Sequence, residues 1–204
     1  MASAGEATMT GQGKVSWRRF AAIMLPALAV AAVLVVLTAQ SVLAVSFSIS
    51  GTPFVVTATQ LRGQGFEQFA TVDTSVLKVL PGNSNQIVVT ANAIRKAELS
   101  HLCQAVTVGG LSLIITAGNG REPVRATNLV VDADKLSGDV SFHNIQIGRD
   151  ASTLNQVPGV TGPAGGFAQQ ATSVVINHLF QHAYATTAGT FTLPGFSLHF
   201  GGHC

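Results

Sequence analysis

From residue 45 onward the chain alternates apolar with small polar residues, as in Val45-Ser-Phe47-Ser-Ile49-Ser. A period of two marks a strand with one dry face and one wet face. The same alternation predicts further strands over 54–61, 66–72, 86–91, 111–116, 129–133, 140–147, 174–179 and 184–200, the last broken at Pro194-Gly195. No segment in this region keeps a helical period for three turns. The pattern therefore predicts a mainly β domain, an antiparallel β-sandwich-like or curled sheet. Breaks fall at 81–85, at Gly118-Asn-Gly120 and over 156–166, where the density of Gly and Pro reads as a flexible surface loop.

Several segments share one finer shape, two apolar positions two apart and a third three further on. Val56/Ala58/Leu61 and Val131/Ala133/Leu136 are the closest pair, each followed by a glycine two residues later. Val89/Ala91/Ile94, Val140/Phe142/Ile145, Val174/Ile176/Leu179 and Phe191/Leu193/Phe196 follow the same template. A step of three flips the facing of a strand, so a bulge or corner is needed to keep all three positions on the core side. Chance matches in a Val- and Thr-rich β protein give the same pattern.

Upstream the pattern changes. No side chain is charged between Arg19 and Arg62, and residues 20–39 are almost wholly Ala, Val, Leu, Ile and Met. Twenty helical residues rise about 30 Å, the thickness of a bilayer's hydrocarbon core. Lys14, Arg18 and Arg19 precede the run and orient it with its N-terminus in the cytoplasm. The expected organisation is a basic cytoplasmic segment (1–19), a transmembrane helix or signal peptide (20–44) and one extracytoplasmic β domain (45–204). The length of the run favours an uncleaved anchor, whereas Val42-Leu43-Ala44 fits a cleavage site. The expected location is the cell membrane, single-pass with the C-terminal domain extracellular, or secreted if cleavage follows Ala44.

Charge sharpens this picture. Only 10% of residues are charged, against about 25% in an average soluble protein. Lys14, Arg18 and Arg19 outweigh Glu6 and account for the whole net charge of +2. The domain after residue 45 is neutral, so no basic stripe exists for a phosphate backbone and nucleic acid is excluded as a partner. Cys103 and Cys204 are the only cysteines. In an oxidising compartment such a pair most simply forms one disulfide, here fastening the C-terminus to the middle of the domain.

The sequence offers few groups arranged for chemistry. G-x-S-x-G, P-loop, dinucleotide and H-E-x-x-H motifs are all missing. The acidic residues are sparse and mostly flank predicted turns, so no carboxylate pair stands out. His178 and His182, like His199 and His203, are four apart; in strand-like sequence that spacing puts the rings about 13 Å apart, too far for one ion. Metal binding by these four stays open, as does a cluster of His101 and His203 that a Cys103–Cys204 bond would assemble. No catalytic, cofactor or metal residue is assigned.

Trp17-Arg-Arg-Phe-Ala21, Phe54-Val-Val-Thr-Ala58, Gly65-Phe66, Leu102-Cys-Gln104, Ala126-Thr-Asn-Leu129, Gly166-Phe-Ala-Gln-Gln170, the run from Ala185 to Phe191 and the final Cys204 carry a resemblance. In these features the chain resembles an uncharacterised actinobacterial family of exported proteins with one N-terminal span and a β-rich domain. Members often bear a cholesterol-esterase label, although the residues an esterase needs are absent here. The resemblance implies an envelope protein without assigned activity, working beside a multi-span membrane protein. Two functions are expected: a non-enzymatic cell-envelope protein binding a lipid or other apolar ligand, or a structural or interaction module partnering a membrane protein or the cell surface.

Overall fold

The computed structural model describes residues 51–75 and 85–204, together with Trp17, Met24, Ser48 and Ile49. The chain divides into two units, 1–42 and 43–204, and every strand of the described residues belongs to the second. The apolar run over 20–44 and the basic segment before it lie outside the described residues, apart from Trp17 and Met24. Among the described residues no helix is long and apolar enough to cross a membrane.

Among the described residues ten strands follow one another, with a single short helical turn between the seventh and the eighth. They are β1 (Ser48–Ile49), β2 (Phe54–Ser75), β3 (Gln86–Ser100), β4 (Leu102–Val108), β5 (Leu111–Ala117), β6 (Val124–His143), β7 (Gln146–Asp150), β8 (Phe167–Thr187), β9 (Thr190–Thr192) and β10 (Ser197–Phe200), with a 3₁₀ turn at Ala151–Thr153. The expectation of a mainly β antiparallel domain holds. The sheet runs β10-β5-β4-β2-β3-β6-β8-β7, and β8 also pairs with β2, which closes β2, β3, β6 and β8 into a barrel. Only β1 is parallel to its neighbour, β2.

The strands are long because several are halves of one bent arm. Phe54 faces Val106 and Thr57 faces Cys103; past His101 the same register continues from Gln60 opposite Ser100 to Thr74 opposite Gln86. Thus β3 and β4 form one arm, kinked where His101 takes a left-handed φ of 54°. Likewise β9 continues β8 along β6, and β7 continues β6 along β8 past Asn144, with φ 53°. Asn and His tolerate this conformation better than β-branched residues do.

One line of broken pairing crosses three strands. The β2–β3 ladder skips Gly65 opposite Arg95, and the β3–β6 ladder skips Arg95 opposite Asn128. Gly65 and Asn128 both have positive φ, 68° and 45°. The sheet folds along this line, as bulges allow. At Gly65 a Cβ would lie 2.6 Å from the Gln156 carbonyl oxygen, so only glycine fits there.

The corners put the sequence template to use in three places. Val56, Ala58 and Leu61 all reach the main core, as do Val174, Ile176 and Leu179; Val131 and Ala133 are buried with Leu136 packed against them. In the last case the register shifts between Ala133 and Lys135, and in β8 the kink is His178, φ 53°. Val89, Ala91 and Ile94 are buried too, but in three separate clusters, and the template fails at Val140, Phe142, Phe191 and Phe196, which are exposed.

Other expectations are corrected. The sequence predicts no strand over 102–108, where Leu102-Cys-Gln-Ala-Val-Thr-Val mixes small and polar residues, yet β4 forms because both neighbours, β2 and β5, offer it a ladder. The segment expected as a flexible surface loop, 156–166, is a largely exposed loop, but two of its residues are buried. Leu154, Val157 and Val160 are buried against Phe69, Ala91, Ala93 and Val130 on the sheet face away from the main core. The Glu67 carboxylate anchors this cover by accepting the Gln156 and Val157 amides.

Candidate functional site

The barrel interior is full. Its residual cavity is about 30 Å³, lined mainly by aliphatic side chains with Asn92, Gln104, Gln181 and Thr186 among them. That is room for about one water. An apolar ligand cannot enter such a core without displacing it.

Beside the interior lies an open cleft of about 540 Å³, within the ~300–1,000 Å³ of typical ligand sites. Phe54, Phe191, Ala185 and Ala188 supply its apolar walls, and Gln104, Tyr184 and Thr186 its polar groups. Gln104, Thr186 and Phe191 line the interior cavity too, so the cleft opens at one end of the barrel. Phe191 comes from β9, held on β6 by Ala126.

From the cleft an apolar sheet face continues outward. Residues directly opposite in a ladder share a face. Phe54 lies opposite Val106, Val106 opposite Leu113 and Leu113 opposite Phe200. The next rows on this face are Gln104, Ile115 and Leu198, and Val108 with Leu111. Val108 (64%), Leu111 (65%), Leu198 (50%) and Phe200 (71%) stand open to solvent. The reverse face carries Cys103, Thr107, Ser112, Thr116, Ser197 and His199, with Ile114 as its buried apolar member. The three-stranded extension is thus amphipathic across its thickness.

The cysteine pair secures this extension. The Cys103 and Cys204 sulfurs are 2.10 Å apart and the Cα atoms 5.7 Å apart. The bond reaches from β4 past β5 to the tail beyond β10, the outermost strand. Gly118 donates to the Pro194 carbonyl and Gly201 to that of Ser112, completing the attachment.

The histidines do not assemble into a metal centre. His178 Nδ1 lies 2.9 Å from Asp139 and His182 Nδ1 lies 2.6 Å from Asp134, so each turns across the strand pair to a β6 carboxylate. His101 Nδ1 is 3.2 Å from the Thr59 hydroxyl. Among the described residues no group of three or more His, Cys, Asp or Glu is placed to hold a metal ion. The Tyr184 hydroxyl donates to the other Asp134 oxygen at 3.3 Å, and His182 meets the Tyr184 ring edge-on. Burial, reinforced by the Asp134 charge, raises the Tyr184 pKa. This trio holds Tyr184 at the cleft wall.

Three buried acids escape the sequence reading, which places acids beside turns. Glu67, Asp73 and Asp132 are all within strands and at most 2% exposed. Asp73 Oδ2 and Glu67 Oε2 have no hydrogen-bond partner. Burial raises all three pKa values; the nearby Asp73 charge adds to it at Asp132, which is pushed up to about 7. Alternation of apolar and polar residues cannot reveal them, because an acid on the wet face of a strand looks the same before the covering segments are known.

The fold and cleft define a small closed β-barrel domain with a disulfide-fastened apolar extension. The chain belongs to a family described as a family of unknown function (DUF6230), whose model matches residues 50–204. Neither curated proteins nor solved structures include a match.

Proposed function

We propose that the chain is a non-enzymatic cell-envelope protein that binds a lipid or other apolar ligand. The site is the cleft at the barrel end, not the barrel interior. The observation that carries this reading is the contrast in volume, about 540 Å³ open at the cleft against about 30 Å³ inside. An acyl-type chain would lie between Phe54 and Phe191 and extend over the Val106, Leu113 and Phe200 row, while Tyr184 and Gln104 meet a polar end. The neutral charge of the domain suits a ligand held by apolar contact.

Fluorescence titration with the polyene fatty acid cis-parinaric acid tests this, using the chain held in solution by an amphipathic polymer. Saturable binding is expected, weakened about tenfold by Phe191→Asp and unchanged by Val88→Asp, an exposed residue outside the cleft lining. Equal binding by both variants, or none by the parent chain, would sink the proposal.

A further inference from the structure

The apolar extension ends in a hairpin, Val108-Gly109-Gly110-Leu111, that the ligand reading uses only in part. Gly109 and Gly110 have positive φ and, among the described residues, nothing within 4 Å of an added Cβ, so the turn is bordered by open space. Val108 and Leu111 flank it, both about two-thirds exposed. Phe200 and Leu198 lie on the same face one and two rows back. Such a contiguous exposed apolar surface, backed by a hydroxyl-rich face, marks an interaction site and not ordinary surface scatter.

Its composition selects the partner. The rows of this face hold Val, Leu, Ile and Phe with Gln104 as the only polar member and no charge at all. A protein interface would ordinarily carry a polar rim with charged or hydrogen-bonding groups. A hydrocarbon surface needs none. The chain outside the described domain gives a second reason. The uncharged segment ends at Ala44, and β1 opens the domain at Ser48, about four residues later. Extended chain covers at most ~3.6 Å per residue, so on the anchored reading the first strand is tethered within roughly 15 Å of a bilayer.

We infer that the β4–β5 tip and the adjoining β10 dip into a lipid bilayer, so that the domain meets its apolar ligand directly from the membrane surface. The inference rests on the envelope reading of the chain, but not on occupancy of the cleft. The Phe54–Val106–Leu113–Phe200 row then forms a continuous apolar track from bilayer to cleft.

Depth-dependent quenching decides it. The full chain with Trp17→Phe, which removes its one tryptophan, takes Leu111→Trp or, as control, Val88→Trp at an equally exposed site. Each is reconstituted into phosphatidylcholine–phosphatidylglycerol vesicles with or without brominated acyl chains. The tryptophan at 111 is expected to emit at least about twofold more weakly in brominated vesicles, and the one at 88 to be unaffected. Equal quenching at both positions overturns the inference. So does quenching at 111 by a dibromo fatty acid in detergent but not by brominated vesicles, which would mean capture of single acyl chains. Concentration-dependent emission at 111 without bromine quenching would point to a second copy on this face and would overturn it too. Quenching at 111 persisting in a Phe191→Asp background that no longer binds cis-parinaric acid separates membrane docking from ligand binding.

Discussion

Replacing Asp132 by Asn removes a carboxyl that the fold holds in an unfavourable place. Asp132 sits opposite Ala91 in the β3–β6 ladder, is 2% exposed, and has its pKa raised from 3.8 to about 7 by burial and by the charge of Asp73. In the unfolded chain the group loses its proton near pH 4; in the folded chain it keeps it to about pH 7. Between those values the folded state binds more protons, so stability falls as pH rises. The contribution is fully present below about pH 4 and lost above about pH 7. A tenfold change in proton affinity is worth about 1.4 kcal/mol, which makes the whole loss about 4 kcal/mol. Urea unfolding of the parent chain and of Asp132→Asn, followed at pH 4.5, 6 and 8, reads this directly. The variant is expected to lose much less stability over that range and to be the more stable of the two at pH 8. Parallel pH profiles for the two chains would refute the burial of an ionisable group at this position. Asp73→Asn should shift the midpoint of the parent's pH profile downward by removing the neighbouring charge.

Three further outcomes follow from the packing. Cys204→Ser opens a loop of 101 residues, worth up to about 4.7 kcal/mol in the chain-entropy view; urea midpoints should drop, and amide exchange in β10 should accelerate more than in β3. Leu179→Ala empties a site among the largest fully buried side chains and should cost about 2–5 kcal/mol, whereas Leu111→Ala on the open face should change stability by no more than about 0.5 kcal/mol. Gly138→Ala places a Cβ 2.7 Å from the Asn177 carbonyl oxygen and the Ile176 side chain at a backbone φ of 152°, and a loss of about 1–3 kcal/mol in thermal or urea unfolding checks it.

The β character and the corners were readable because alternation and the step of three are local. Val56/Ala58/Leu61 needs only its own strand to announce a bend. What was not local stayed hidden. Val140 and Phe142 match the template yet are exposed, since whether a face is covered depends on what packs above it. The cover formed by 156–166 reads as loop because its turn residues outnumber Val157 and Val160, and its anchor, Glu67, lies some ninety residues away. The cysteine pairing was legible from count alone. The cleft was not, because Phe54, Tyr184 and Phe191 meet only once the barrel closes and β9 extends β8.

Lipid extracted from the chain purified out of its own cells and identified by mass spectrometry tests the central claim most directly. A lipid or other apolar compound is predicted at near one per chain in the parent and several-fold depleted in Phe191→Asp. Equal trace amounts from both chains would contradict a ligand in the cleft.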